Sequence, residues 1–259
     1  MKKSWFAILT ACFLMACGES APQQSTAAAS SPSDNKPVYR VYSEQNYVPF
    51  IMHAMGQEPS GFEYDLLQAI GAKQGVKFTY TAHVWEDLFA SLNRNDSDII
   101  SAGLTVTEER KKDMDFTDPH LESSPVILTK NKQIQSFADI AGKKVSIQSG
   151  TTHQQLVEQF QKGNGNIIKR DTAWLIVNEV MKNETDAAML DSAVAQYYVK
   201  QYPNENLIVV ADKSIAKEPL AFALKKGNQA LKEQLNQGLA KIKADGTYDK
   251  IQQKWFGKQ

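Results

Sequence analysis

Between Tyr39 and Phe256 the chain alternates short apolar runs with helical periodicities, and it does so in two successive rounds. This confines it to α/β architecture, because each helix must lay its apolar stripe on a sheet and each crossover favours parallel strands. In the first round Tyr39 to Ser43 reads as a strand and Asp65 to Gln74 as a helix closed by Gly75. Val76, Phe78 and Tyr80 alternate as a strand; Trp85, Leu88, Phe89 and Leu92 are spaced for one helix face; Asp98 to Ala102 is the next strand. The pattern restarts after Lys130. A short helix (Phe137 to Ala141) precedes a strand (Val145 to Gln148), a helix (Thr152 to Phe160) and a strand at Ile167 and Ile168. A helix (Ala173 to Lys182), a strand (Ala187 to Leu190, ending at Asp191) and a helix (Ser192 to Gln201) follow. Strands at Leu207 to Val210 and Ala221 to Leu224 come next. Leu231, Leu235, Leu239 and Ile242 then line one helix, and Tyr248, Ile251, Trp255 and Phe256 line the last. Two α/β units in about 220 residues imply two lobes. Ligands of open α/β sheets bind outside the carboxyl ends of strands, so the cleft between lobes is the expected site.

Residues 1–16 are not expected to belong to this fold. Lys2 and Lys3 form a basic start, and Trp5 to Ala16 is an apolar stretch too short to span a bilayer as a helix. It runs into Leu14-Met15-Ala16-Cys17, which resembles the bacterial lipobox and implies cleavage before Cys17 and lipidation of that residue. Cys12 leaves with the signal, so Cys17 has no disulfide partner in the chain. Acyl chains on it would anchor the protein, each buried CH₂ contributing about 0.8 kcal/mol. Residues 17–37 then form a polar, small-residue tether that cannot bury enough apolar surface to order itself. Its reach is on the order of 25 Å.

The 29 basic and 29 acidic residues leave no nucleic-acid footprint. HExxH, CxxC, GxSxG and the Walker lysine motif are missing from the sequence, and His53, His83, His120 and His153 lack metal-ligand spacing. Neither a metal nor a cofactor is therefore expected.

Three sites carry the chemistry. Arg110 follows the strand at Ile99-Ile100, in the first turn of a helix read as starting at Thr107, where Glu108 and Glu109 suit the positive helix terminus and an arginine does not. An incoming anion resolves the mismatch, since a guanidinium pairs bidentately with a carboxylate; EERKKD also suits a solvated helix face. Ser149-Gly150-Thr151-Thr152 joins a strand to a helix start, which offers free N–H groups to an anion or forms a plain Thr-capped turn. Asp191 stands between a strand and a helix, either as a helix cap or as the partner of an ammonium. Arginine for a carboxylate with aspartate for an ammonium makes a receptor for an α-amino acid. Tyr47 and Trp85 would sandwich its side chain.

At this point the chain resembles the bacterial solute-binding proteins that deliver polar amino acids to ABC transporters, the family of the glutamine-, histidine- and lysine/arginine/ornithine-binding proteins. The resemblance rests on Tyr47-Val48-Pro49-Phe50, Gly61-Phe62-Glu63-Tyr64-Asp65-Leu66 and the run from Asp98 to Thr105 into Glu109-Arg110-Lys111. It continues through Asp115-Phe116-Thr117-Asp118-Pro119, Ser149 to Thr152, Ala244 to Lys250, and Trp255-Phe256-Gly257. It implies an α/β, two-lobed, type II periplasmic-binding-protein fold with two crossover strands, near Val126 to Lys130 and Pro219 to Leu224, closing by hinge motion. Residues 38–127 and 222–259 would form one lobe and 128–221 the other.

The resemblance further implies that Arg110 and the amides of Thr105 and Thr152 hold the ligand carboxylate, with Thr151 in the same turn. Asp191, the carbonyl of Gly103 or Ala102, and the Thr105 hydroxyl would hold the ammonium. Tyr47 and Trp85 would stack on the side chain, while Glu44 and Gln148 line its pocket. His120-Leu121 and Leu220-Ala221 depart from the paired aromatics and the Tyr-Gly of many relatives, near the hinges.

Glu44 favours a cationic side chain, since a buried unpaired carboxylate is costly and stacked aromatics attract cations. Arginine or lysine is expected first, then histidine or glutamine. The expected partners are this amino acid, a permease and, through Cys17, the membrane lipid, with the protein a monomer in the cell envelope facing the periplasm or the exterior. The rival expectations are a cyclohexadienyl dehydratase on the same fold, needing a carboxylic acid kept protonated, and a lipid-anchored amino-acid sensor without a transporter.

Overall fold

A computed structural model describes residues Lys36 to Gly257. The signal segment, Cys17 and the tether as far as Asn35 lie outside the described residues, so the expectations for them stand apart from the fold. None of the described helices is long and apolar enough to cross a membrane.

The chain opens with β1 (Val38–Glu44), a two-residue ribbon of β2 (Asn46–Tyr47) and β3 (Ile51–Met52), then α1 (Phe62–Gln74), β4 (Lys77–His83), α2 (Trp85–Arg94) and β5 (Ile99–Ser101). A four-residue α3 (Arg110–Asp113) leads to β6 (Met114–Phe116), β7 (Leu121–Ser123) and β8 (Pro125–Thr129). Next come β9 (Lys144–Gln148), α4 (Thr152–Gln161), β10 (Asn166–Arg170), α5 (Ala173–Met181), β11 (Ala187–Asp191) and α6 (Ser192–Gln201). Strands β12 (Ile208–Ala211), β13 (Glu218–Leu220) and β14 (Ala223–Lys225) precede α7 (Gln229–Ala244) and α8 (Thr247–Phe256).

These strands form two five-stranded sheets, ordered β4-β1-β5-β14-β6 and β10-β9-β11-β8-β12. Each is buried on both faces, and the two-residue period of a strand divides its side chains between two apolar layers. In the first sheet Val41 and Ile99 face α1 and α7, whereas Ile100 packs with Trp85, Leu88 and Leu92 of α2. In the second sheet Leu128, Ala188 and Leu190 face α5 and α6, whereas Val145, Ile147 and Met189 join Val157 of α4. The layer holding α1, α5, α6 and α7 is one continuous cluster through both lobes. Leu231, Leu235, Leu239 and Ile242 are buried as their spacing predicts, and α7 packs on α1. Gly238 is what permits that approach: a Cβ there would lie 2.6 Å from Ile70 Cγ2.

The expected parallel pairing holds for β1 with β4 and β5, and for β9 with β10 and β11. It fails for β8, antiparallel to β11 and β12, and for β14, antiparallel to β5 and β6. The reason is connectivity. Each of these strands enters its sheet from the other lobe, at the end where its neighbours stop, and so runs the opposite way.

The two crossover strands are present, but the first sits one element earlier than expected. Val126 to Thr129 belongs to β8, inside the second sheet, with Lys130 just beyond it, while the crossing is made by β7 paired antiparallel with β13. All five residues of β8 are buried, as suits a central strand rather than a hinge. The second expected crossover, Pro219 to Leu224, divides into the end of β13 and the start of β14.

Candidate functional site

Two parallel pairs of strands, β1 with β5 and β9 with β11, end at the cleft between the lobes, and each strand delivers site residues there. Glu44 ends β1, Ala102 and Gly103 follow β5, Gln148 ends β9 and Asp191 ends β11. With Tyr47, Trp85, Thr105, Arg110, Thr151 and Thr152 they line one cavity. All eleven site residues read from the sequence are thus brought together, joined by His153.

Arg110 is the first full residue of α3, in a turn that starts at Thr107 as expected. Thr107 caps it, its Oγ1 accepting the Arg110 backbone N–H at 3.1 Å and its carbonyl the Lys111 N–H at 3.0 Å, and Glu108 and Glu109 pair with Lys111 and Lys112 on the exposed side. The guanidinium donates to the Thr105 carbonyl at 2.8 Å and, across the cleft, to the Gly150 carbonyl at 3.5 Å. It lies 5.5 Å from the Trp85 ring centroid and 5.4 Å from that of Phe89, within cation–π range. Burial pulls its pKa down to about 10, against the charge of Glu218; it remains cationic at neutral pH.

The turn after β9 is both a capped helix start and part of the cavity wall. Thr151 caps α4 by accepting from Gln154 N–H and donates its hydroxyl to the Gln148 carbonyl at 2.8 Å. Thr152 is the first residue of α4, where a backbone N–H has no intrahelical acceptor. The hydroxyls of Thr105 and Thr152 both donate to Glu218 Oε2, each at 2.9 Å.

Asp191 occupies the cap position of α6 without capping it. Its carboxylate instead accepts from the Tyr47 hydroxyl across the cleft and from Ser123 Oγ, and the residue is 2% exposed. Burial first, then the charge of Asp191, holds the Tyr47 phenol well above its usual pKa, so it stays a neutral donor. The Tyr47 ring stacks on Phe50 with centroids 5.6 Å apart, and Trp85 meets Phe89 edge-on at 5.0 Å.

Gly103 has φ +60°, and a Cβ there would lie 2.7 Å from the Tyr47 ring, so this turn requires glycine. Glu63 holds it in place. Its Oε1 accepts from Gly103 N–H at 3.1 Å and pairs with His120 Nε2 at 2.9 Å, and its Oε2 accepts from Ser101 Oγ at 2.7 Å. Glu63 and His120 are both fully buried side chains. His120 stacks on Phe222 with centroids 4.5 Å apart, and Leu121 pairs with Leu220 in the β7–β13 ribbon. The departures noted at these positions therefore link the ligand turn to the crossover.

Glu44 is the electrostatic exception. It is 3% exposed, its Oε1 accepts from Gln148 Nε2 at 2.7 Å across the cleft, and its Oε2 is buried without a partner. Burial raises its pKa to about 8, with the Gln148 hydrogen bond opposing. Such a group is neutral at pH 7 unless a cation comes to it.

Sequence reasoning missed His153, Glu63, Phe89, Ser123 and Glu218. His153 was weighed only as a metal ligand, although it directly follows Thr152; its Nε2 is buried without a partner. Glu63, Ser123 and Glu218 act through contacts distant in sequence, 113 residues in the case of Thr105 with Glu218, and Phe89 through its place beside Trp85 under the Arg110 guanidinium. Among the described residues no group of three His, Cys, Asp or Glu side chains is placed to hold a metal.

Two α/β lobes on a double crossover, enclosing one half-buried arginine and two buried carboxylates, define a cleft receptor for a small charged solute. Residues 39–258 match the model of the bacterial extracellular solute-binding proteins, family 3, and the chain belongs to that family. It is 34% identical to a probable histidine-binding protein of Neisseria gonorrhoeae, over 99% of this chain and 97% of the relative. It is 33% identical to the ABC transporter arginine-binding protein 1 of Escherichia coli K12, over 81% and 87% of the two chains. Among solved structures, an ancestral arginine-binding protein bound to arginine superposes with a TM-score of 0.81 at 38% identity, covering 86% of this chain and 99% of the other.

Proposed function

We propose that the cavity binds a free L-α-amino acid with a basic side chain, arginine or lysine before histidine or glutamine, and that the closed protein presents it to an ABC-transporter permease. The observation that carries this reading is the unpartnered Glu44 oxygen, buried in the cavity that Arg110 and Asp191 also line. A cationic side chain would supply the missing partner, between the Tyr47 and Trp85 rings and beside Gln148. Arg110 with the amides of Thr105 and Thr152 takes the α-carboxylate. Asp191 with the Gly103 or Ala102 carbonyl takes the α-ammonium. Two relatives are named for histidine and arginine, in keeping with this choice. Residues 38–120 and 222–257 move as one lobe against 125–217, about the β7–β13 ribbon, all of β8 belonging to the second sheet. Cys17, acylated, tethers a monomer to the envelope; replacing it by serine should release the protein from the membrane fraction.

The test is a thermal-shift screen of the protein against all twenty amino acids, after unfolding and refolding to strip carried ligand. Ligand at a thousand times its Kd adds about 4 kcal/mol of stability. Stabilisation by arginine or lysine upholds the reading; no shift with any amino acid refutes it.

A second reading has one observation in its favour. Glu44, raised to about 8 by burial, is a carboxylic acid kept protonated near neutral pH, as a cyclohexadienyl dehydratase would need. Turnover of prephenate or arogenate would establish it. Asp191, by contrast, already accepts from the Tyr47 and Ser123 hydroxyls.

A further inference from the structure

The β7–β13 ribbon does more than join the lobes. Ser123 and Glu218 are register partners in it, and each reaches a different part of the site. Ser123 donates to Asp191. Glu218 gathers two hydroxyls on a single oxygen: Thr105, which follows β5 of the first sheet, and Thr152, which opens α4 on the second, each at 2.9 Å. The other bonds across the cleft, Tyr47 to Asp191, Gln148 to Glu44 and Arg110 to Gly150, involve side chains that line the cavity, where a ligand competes for them. Glu218 is not among the cavity-lining residues, although Thr105 and Thr152 are, and a ligand carboxylate taken by their backbone amides leaves both hydroxyls on Glu218.

We propose that Glu218 is the closure latch of the cleft, holding one threonine of each lobe to the hinge on one carboxylate oxygen and so fixing the lobe spacing that the ligand carboxylate site requires. The inference rests on the amino-acid-binding reading above. Thr105 and Thr152 supply amides to the ligand carboxylate, and with both hydroxyls on Glu218 those amides keep a set separation. Ligand and latch then favour the same closed arrangement, and escape of the ligand requires the latch to open. Glu218 acts through the threonines and is a positioning residue.

The experiment combines stopped-flow kinetics, with arginine as the probe, and an inter-lobe distance. Spin labels at Asn93→Cys on α2 and Gln159→Cys on α4, both exposed, with Cys17→Ser, report the closed fraction. Glu218→Ala should raise the arginine dissociation rate about tenfold or more, since bonds to a charged acceptor are lost. Association should change by less than about threefold, and the closed fraction should fall. Glu218→Gln, which keeps an acceptor oxygen, should recover part of the loss. Thr152→Val should cost less in the Glu218→Ala background than in the wild type, because both changes remove one contact. An unchanged dissociation rate with an unchanged closed fraction overturns the latch. So does a lowered melting temperature with neither quantity altered, which marks a purely structural role. If the wild type binds no amino acid, the ligand reading fails separately. The closed fraction of the unliganded protein then decides the latch: a fall upholds it, and no change overturns it.

Discussion

Binding of arginine should release a proton. In the free protein Glu44 carries one up to pH about 8, because burial raises its pKa and only Gln148 opposes the shift. An arginine side chain placed against the unpartnered oxygen reverses the balance, since a cation a few ångströms away favours the carboxylate. At pH 6, two units below that value, ionising Glu44 costs about 2.7 kcal/mol, or roughly a hundredfold in Kd. The sign follows from the free form being the protonated one: affinity rises about tenfold per unit from pH 6 to 8 and levels off above. Arginine stays charged throughout, so its guanidinium adds no slope. Calorimetry at pH 6, 7 and 8, in buffers of different ionisation enthalpy, measures both the Kd and the protons released, close to one per arginine at pH 6. Glutamine should show no such release, and Glu44→Gln should flatten the arginine profile. A Kd independent of pH from 6 to 8, with no proton released, would refute the argument.

The same group affects stability without ligand: Glu44, whose folded pKa exceeds its unfolded value, contributes stability that is complete below about pH 4.5 and lost as pH rises through about 8. Urea titrations at pH 5 and 8 should show this fall, smaller in Glu44→Gln. Arg110→Met should weaken amino-acid binding by at least about a hundredfold while leaving the unliganded fold as stable or more so, because it removes a desolvated cation that has no bidentate anionic partner; calorimetry and thermal melting check the two halves. Gly103→Ala should destabilise by about 1–3 kcal/mol, from positive φ and the clash with Tyr47, and lower affinity as well. Glu63→Gln should weaken binding with little change in ligand selectivity, as it loosens the Gly103 turn without touching the cavity; a changed rank order among amino acids would refute that role.

Local rules carried the elements. Gly75 does end α1 in the left-handed region at φ 67°, Thr151 and Thr172 cap α4 and α5 with their side chains, and the four-four-three repeat of α7 is buried. The same rules misplaced what depends on the rest of the chain. Pro125-Val126-Ile127-Leu128-Thr129 reads equally as a hinge strand or a central one, and only the strands on either side of it make it central. The expected start at Thr107 holds as a cap, its hydroxyl accepting the Arg110 N–H and its carbonyl the Lys111 N–H, but the helix that follows is only four residues long. At Asp191 a cap and a ligand group look alike from the sequence. The Tyr47 hydroxyl, 144 residues away, separates them.

The apolar spacing determines that this chain makes two α/β units, because burial of a helix stripe or a strand face depends on near neighbours alone. Strand ends then put Glu44, Gln148 and Asp191 at a cleft, since parallel strands share one carboxyl edge. The protonation of Glu44, the grip of Glu63 on Gly103 and the bridge from Glu218 to both lobes were decided by folding. Each depends on how far water is excluded and on atoms within about 3 Å that are tens to more than a hundred positions apart. Periodicity in the sequence carries no record of those distances.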